Sequence, residues 1–214
     1  MVDQNRETKA PGLIIRWPAR YDMLVWLLTL GRERTFREKL VALARLAPGE
    51  AVLDVGCGTG TLAITASRHV GPTGTVNGID ASPEMIARAE QKARRVDAKV
   101  VFKVSSAQNL PFPDAHFDAV TLTVMLHHLP RKGREECARE VRRVLKPGGR
   151  ALVVDFGGPS RKGKGILAHL HRHGYVAPDD IANLLNDAGL TIVEKGSVGI
   201  SDLHYVLARA EDGS

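Results

Sequence analysis

Apolar and polar positions along the chain follow two periods. Short runs dense in Val, Ile, Leu and Phe fall at 52–55, 75–79, 99–104, 117–123 and 150–156. Each has the length and composition of a strand buried on both faces of a parallel sheet. Between them, apolar residues recur every three to four positions over 32–46, 61–70, 82–95 and 131–145, which predicts amphipathic helices. In 32–46, Phe36, Leu40, Leu43 and Leu46 share a face, so this helix is expected to pack on the sheet and to end at Pro48-Gly49. A helix over 180–188 starts after Pro178 and Asp179 and closes at Gly189. Strands over 191–195 and 203–209 follow. Strands alternating with helices predict an α/β fold, a doubly wound sheet in three αβα layers. No internal repeat or second domain is visible, so 1–214 reads as one domain. Within it, 1–46 forms an N-terminal helical part, 50–156 a core and 157–214 the remaining loop and strands.

One stretch breaks the pattern. Residues 21–30 read YDMLVWLLTL, and Met23 to Leu28 are apolar on nearly every side. Such a helix has to be covered by the core, a partner chain, an apolar substrate or a bilayer surface. Peripheral membrane contact and pairing into a homodimer stay open on this ground. No run reaches the ~18 apolar residues of a membrane span, and no uninterrupted apolar segment of a signal peptide opens the chain. Cys57 and Cys137 have no metal-site spacing and suit a reducing, cytoplasmic setting. The 214 residues, 43% of them hydrophobic, suffice for one α/β core. The net charge of +6 hints at an anionic partner (nucleic acid, lipid head group or acidic substrate), but it is spread rather than blocked, which suits a plain solvated surface; no nucleic-acid partner is expected.

The candidate chemistry concentrates at 52–60, VLDVGCGTG. Asp54 interrupts the apolar run near the strand's carboxyl end, where open α/β sheets bind ligands. Gly56, Gly58 and Gly60 follow at alternate positions, allow a tight turn and let a ligand lie on bare backbone. The loop delivers that ligand to the N-terminus of the helix at 61–70. A dinucleotide fingerprint has its third glycine one place later and a pyrophosphate over the helix. Asp54 would repel a pyrophosphate and would welcome an ammonium. Asp80 ends the next strand twenty residues beyond Gly60, where a carboxylate accepts ribose hydroxyls. Ser82 caps the helix that follows, with Pro83 in its first turn. Met85 and Ile86 are placed to meet an adenine ring or the core. A Rossmann-like domain for another nucleotide is the alternative reading of the motif.

This stretch, together with LPFPDAHFDAV from Leu110, LHHLP from Leu126 and LKPGGR from Leu145, resembles the class I S-adenosylmethionine-dependent methyltransferases. The likeness is strongest to the small-molecule group containing the ubiquinone and menaquinone C-methyltransferases. It covers roughly 40–155. The resemblance implies a Rossmann-like seven-stranded sheet whose last strand is inserted antiparallel. It implies S-adenosylmethionine as cofactor, S-adenosylhomocysteine as product and a small-molecule acceptor, quinone-like, lipid-like or soluble. Asp54, Gly56, Gly58 and Gly60 would hold the methionine part, and Asp80 with Ala81 the ribose. Met85, Ser106 and Ala107 would border the adenine, and Leu122 and Thr123 would line the methyl side. Tyr21, in a Tyr-Asp pair, would reach the cofactor from an N-terminal lid. The family usually has an acid where Ser106 stands, and serine is a weaker acceptor for the adenine amino group.

His127 and His128 are the candidate catalytic residues, since imidazole titrates near working pH. Methyl transfer from a sulfonium also proceeds by alignment and desolvation alone, which would leave the pair a scaffold feature. The TLTV at 121–124 lacks the proline pair and aromatic of enzymes that methylate nucleic-acid amino groups. Residues 157–174, GGPSRKGKGILAHLHRHG, read as a loop and short helix beside the active-site edge. Their bases suit an acidic acceptor, or solvent alone. His169 and His173 are spaced i,i+4, but no nearby acid or cysteine completes a ligand set, and no metal is expected. The same fold retaining the cofactor without catalysis, as a binding protein, is the competing class.

Overall fold

The chain builds its sheet outward from Ala51–Val55 (β1), which pairs in parallel with Thr75–Asp80 (β2) on one side and Phe117–Thr123 (β4) on the other. The structure, a computed structural model, describes residues 33–158, 175–200 and 202–212. Val101–Val104 (β3) adds in parallel to β2, and Leu145–Phe156 (β5) in parallel to β4. Leu203–Ala210 (β7) lies antiparallel between β5 and Leu190–Ser197 (β6). The seven strands therefore run β3-β2-β1-β4-β5-β7-β6. This is the expected doubly wound sheet with an inserted antiparallel last strand. Its order reverses between β1 and β4, and ligands of such sheets bind outside the carboxyl ends at that reversal.

Side-chain alternation along each strand separates two cores. Leu53 and Val55 of β1, with Val120 and Leu122 of β4, pack against Arg131–Val144 (α4) and Pro178–Asp187 (α5). Val52 and Ala119 face the other side. There Thr61–Val70 (α2), Pro83–Arg95 (α3) and Glu33–Leu43 (α1) cover the sheet. The same alternation turns Asp54, Thr121 and Thr123 toward the α1–α3 layer. Asp54 stands opposite Gly78 of β2 and Thr121 of β4.

Element ends differ from expectation in two informative places. Helix α1 stops at Leu43 rather than near Leu46, because Arg45 takes φ 53° and Leu46 N–H reaches back to Val41 C=O. That is a left-handed closure made without glycine. Arg150 then donates to the C=O of Ala44 and Arg45 and pairs with Glu50 at 2.7 Å. Strand β5 begins at Leu145, which pairs with Phe117 before the register shifts to Ala119–Arg150. The strand expected over 150–156 thus extends back over 145–149, which is an irregularity within it rather than a boundary before it. No described helix is long and apolar enough to cross a membrane.

Candidate functional site

The glycine loop and Asp80 are bound to each other. Gly56, Gly58 and Gly60 take φ of 67°, 53° and 77°. At two of them a side chain would also collide. A Cβ on Gly60 would lie 2.7 Å from Phe102, and one on Gly56 would lie 2.9 Å from Met125. Gly58 N–H donates to one oxygen of Asp80 and Ser82 N–H to the other, both at 2.9 Å. Cys57 N–H donates to Ile79 C=O. Burial pushes the Asp80 carboxyl up, and the backbone N–H groups of Ser82, Gly58 and Ala81 pull it back. Ser82 caps α3 by accepting Met85 N–H at 3.2 Å. Lys92 of α3 holds the loop's far side through Thr59 at 2.8 Å.

Asp54 sits deeper and is held differently. It is 3% exposed and accepts the Thr121 hydroxyl at 2.8 Å. Burial pushes its carboxyl up to about 6; the Thr121 hydroxyl and the nearby Arg37 guanidinium oppose that rise. Arg37 comes from α1 and is 7% exposed. Both groups line one cavity with Gly56, Cys57, Thr59 and Thr123. Arg37 pairs with Glu33 at 3.5 Å, one helical turn away. Its Nε is buried without a hydrogen-bond partner, and so is the Thr123 hydroxyl. An unsatisfied buried polar group costs about 1–3 kcal/mol, so two around one cavity ask for an explanation.

The chain leaves β4 through a strained turn. Val124 takes φ 55°, which a β-branched residue adopts rarely, and is held by its N–H to Val154 C=O at 2.7 Å. The turn lays Met125 over Gly56 and leads into a 3₁₀ turn at Leu126–His128. His127 Nδ1 meets Asp155 Oδ1 at 2.6 Å, with side-chain exposures of 5% and 0%. The other Asp155 oxygen accepts His127 N–H at 3.2 Å. In the tautomer whose Nδ1–H donates to Asp155, Nε2 is the acceptor. The His128 ring stands 3.9 Å from that of His127, centroid to centroid.

The structure thus gathers Asp54, Gly56, Gly58, Gly60, Asp80, Ala81 and Thr123 around the ends of β1, β2 and β4. Ser105 N–H donates to Asp80 C=O, which brings Ser106 and Ala107 beside the same crevice. The Ser106 hydroxyl is engaged in its own turn, donating to the Gln108 side chain and accepting Gln108 N–H. Met85 is buried beside the cap, Ile86 belongs to the core under α3, and Leu122 points its side chain into the opposite core. Tyr21, the stretch 21–30, His169, His171 and His173 lie outside the described residues. Among the described residues no cluster of three or more His, Cys, Asp or Glu could hold a metal. Sequence reasoning missed Arg37, Thr121 and Asp155. Arg37 alone left a trace: a basic residue three and four positions before Leu40 and Val41, inside an apolar stripe.

The family model described as "Methyltransferase domain" matches residues 52–149. The chain is 40% identical over 146 residues to the ubiquinone/menaquinone biosynthesis C-methyltransferase UbiE of Pseudomonas entomophila, an alignment covering 67% of this chain and 56% of that protein. It is 40% identical over 144 residues to the protein of the same name from Pseudomonas aeruginosa strain LESB58, covering 66% and 56%. The chain therefore spans about half the length of the curated relatives it matches. A solved S-adenosylmethionine-dependent methyltransferase from Aquifex aeolicus superposes with a TM-score of 0.73 at 24% identity, covering 91% of this chain and 99% of that one. The [4+2]-cyclase SpnF superposes with a TM-score of 0.68 at 18% identity, covering 96% and 100%. At these identities the structures share a fold, and a fold shared with a cyclase does not by itself fix a reaction.

Proposed function

We propose, for a chain that belongs to the class I S-adenosylmethionine-dependent methyltransferases, that it moves a methyl group to a small, partly apolar acceptor. The C-methyltransferase activity for which its relatives are named makes a carbon of a quinone precursor the acceptor class to test first. The observation that carries the reading is the pair of acids around one glycine loop, one at the end of β2 and one buried in β1. The residues present fit the cofactor. Gly56 lacks the Cβ that would meet Met125, and the buried Thr123 hydroxyl has a bond still to make.

When bound, S-adenosylmethionine supplies an electrophilic methyl group. Asp80 has lone pairs left beside its two backbone bonds, and these would accept the ribose hydroxyls. Asp54 and the loop from Gly56 to Gly60 would take the methionine part, with Ser106, Ala107 and Met85 at the adenine. Leu122 would contribute backbone only, since its side chain faces the opposite core. His127 would take the acceptor's proton at Nε2, positioned by Asp155. Met125, laid over Gly56, would help to exclude water while the reacting atoms align. The two free cysteines suit a cytoplasmic enzyme, and the chain reads as one domain.

The test is an acceptor screen over quinols, phospholipid amines, phenols and thiols, reading S-adenosylhomocysteine. Product formed in step with quinol loss is expected, and His127→Ala should slow it at least tenfold, within the usual range for a general base. Calorimetric binding of S-adenosylmethionine with no product from any acceptor would overturn the enzyme reading in favour of a binding protein. Full activity of His127→Ala would return the histidine to a scaffold role.

A further inference from the structure

The turn that carries His127 does not hold its shape by itself. It leaves β4 through Val124 at φ 55°, a conformation that a β-branched residue adopts only under constraint. Its own hydrogen bonds are few. His128 N–H reaches Met125 C=O at 3.1 Å, and Leu129 N–H reaches Leu126 C=O at 3.0 Å. A single 3₁₀ turn over Leu126–His128 is a weak element, with poorer bond geometry than an α-helix. Strain of this kind persists only where the surroundings impose it.

Two neighbouring elements impose it. From β5, one oxygen of Asp155 accepts His127 N–H at 3.2 Å, while the other meets His127 Nδ1 at 2.6 Å and accepts Phe156 N–H at 2.8 Å. From α4, Arg134 donates its Nε–H to the C=O of Leu126 and of Leu129, each at 2.9 Å. Those carbonyls bracket the turn: Leu126 opens it and Leu129 caps its end. Helix α4 is a firm base for the grip, because Cys137, Val141 and Val144 seat it in the core at 0% exposure. A guanidinium also stays charged at every working pH, so the grip does not titrate with the histidine beside it.

Resting on the base reading above, we propose that Arg134 is a positioning residue for methyl transfer. It fixes the turn so that His127 presents Nε2 to the acceptor while Asp155 holds the other ring nitrogen. The acceptors of Arg134 belong to this turn and not to the glycine loop, Asp54 or Asp80. Its loss should therefore be felt in turnover and not in cofactor affinity. One helix then sets the geometry of proton removal from outside the cofactor crevice.

The test measures methyl transfer from S-adenosylmethionine to the quinol acceptor by the full chain carrying Arg134→Met. That side chain keeps the apolar stem and puts a methyl group where Nε stands. The kcat should fall about tenfold, a modest cost for a displaced catalytic group, while calorimetric affinity for S-adenosylmethionine stays nearly unchanged. Arg134→Lys keeps the charge and the donors and should recover part of the rate. Two readouts separate positioning from plain support of the fold. In a His127→Ala background, Arg134→Met should cost little more, because the group it aims is gone. The deficit should also shrink as pH rises toward about 10, where a phenolic hydroxyl gives up its proton unaided. Full kcat in Arg134→Met, with His127→Ala slowed, would overturn the positioning role and leave the base reading standing. The same loss in both backgrounds, a deficit equal at every pH, or cofactor affinity that falls as far as kcat would each overturn it too, by marking a structural role. Full activity of His127→Ala would refute the base reading itself, and the role of Arg134 with it. Should Arg134→Met fail to fold, Arg134→Lys carries the same comparison: its smaller deficit must likewise disappear in the His127→Ala background, and a deficit that persists there would sink the proposal.

Discussion

The two acids beside the glycine loop are held in opposite ways. Asp80 is satisfied by its own neighbourhood: Ser82 lies two residues on, Gly58 lies in the adjoining loop, and both donors are backbone. Asp54 is held across the molecule, by Thr121 of β4 and the field of Arg37 on α1. Asp80 therefore contributes to the loop's shape before any ligand binds. Asp54 is a charge kept at a cost in the free protein, and a bound ammonium would relieve it. A preorganised site needs both kinds of group, one that fixes geometry and one whose electrostatics are completed only by the right ligand.

Removing each acid should separate these roles most sharply. Asp80→Ala leaves two backbone N–H groups without an acceptor and takes away the ribose contact. We expect a loss of about 1–3 kcal/mol in folding stability, measured by urea denaturation, together with loss of calorimetrically detectable cofactor binding. A variant as stable as wild type would show that the loop does not depend on Asp80.

Asp54→Asn should do the reverse to stability. With its carboxyl lifted from 3.8 to about 6, the folded protein holds a proton that the unfolded chain releases over that interval. The stability this group adds is full below its unfolded value and is lost as pH rises through about 6. At neutral pH the ionised side chain then costs on the order of 2–3 kcal/mol, which the amide avoids. Asp54→Asn should thus be more stable than wild type at pH 7 and lack the wild-type gain in stability on acidification, both read by denaturation at several pH values. Cofactor affinity should move oppositely. It should fall in wild type below about pH 6, where Asp54 is protonated, and be weak at every pH in the amide variant. A stability difference between the two proteins that does not vary with pH would contradict the account.

The same division decides what could be read from residues alone. The alternation of strands and helices, the glycine spacing and Asp80 at a strand end are local patterns, and the sheet and loop follow them. Arg37 was illegible as a site residue because the burial of a charge depends on what packs over it. Asp155 was read only as part of a strand, since its histidine partner is 28 residues away. The end of α1 was misplaced for a similar reason. Arg45 in a left-handed conformation carries no glycine to announce it, and its neighbours' carbonyls are collected by Arg150 from β5.

The smallest effect concerns Thr121, whose hydroxyl is the leading influence opposing the rise of the Asp54 carboxyl. Thr121→Val keeps the shape of a fully packed strand position and removes only the donor. Without it the charged form of Asp54 loses a bond worth about 1 kcal/mol, which moves its titration upward by less than one pH unit. The midpoint of the pH dependence of cofactor affinity should shift upward by that amount, with affinity above about pH 8 nearly unchanged. Calorimetric titrations across the interval would show it. A midpoint that stays put would mean that Asp54 does not govern the pH dependence. A uniform loss at every pH would mean that Thr121 touches the ligand directly, and that the two acids differ less in kind than their surroundings indicate.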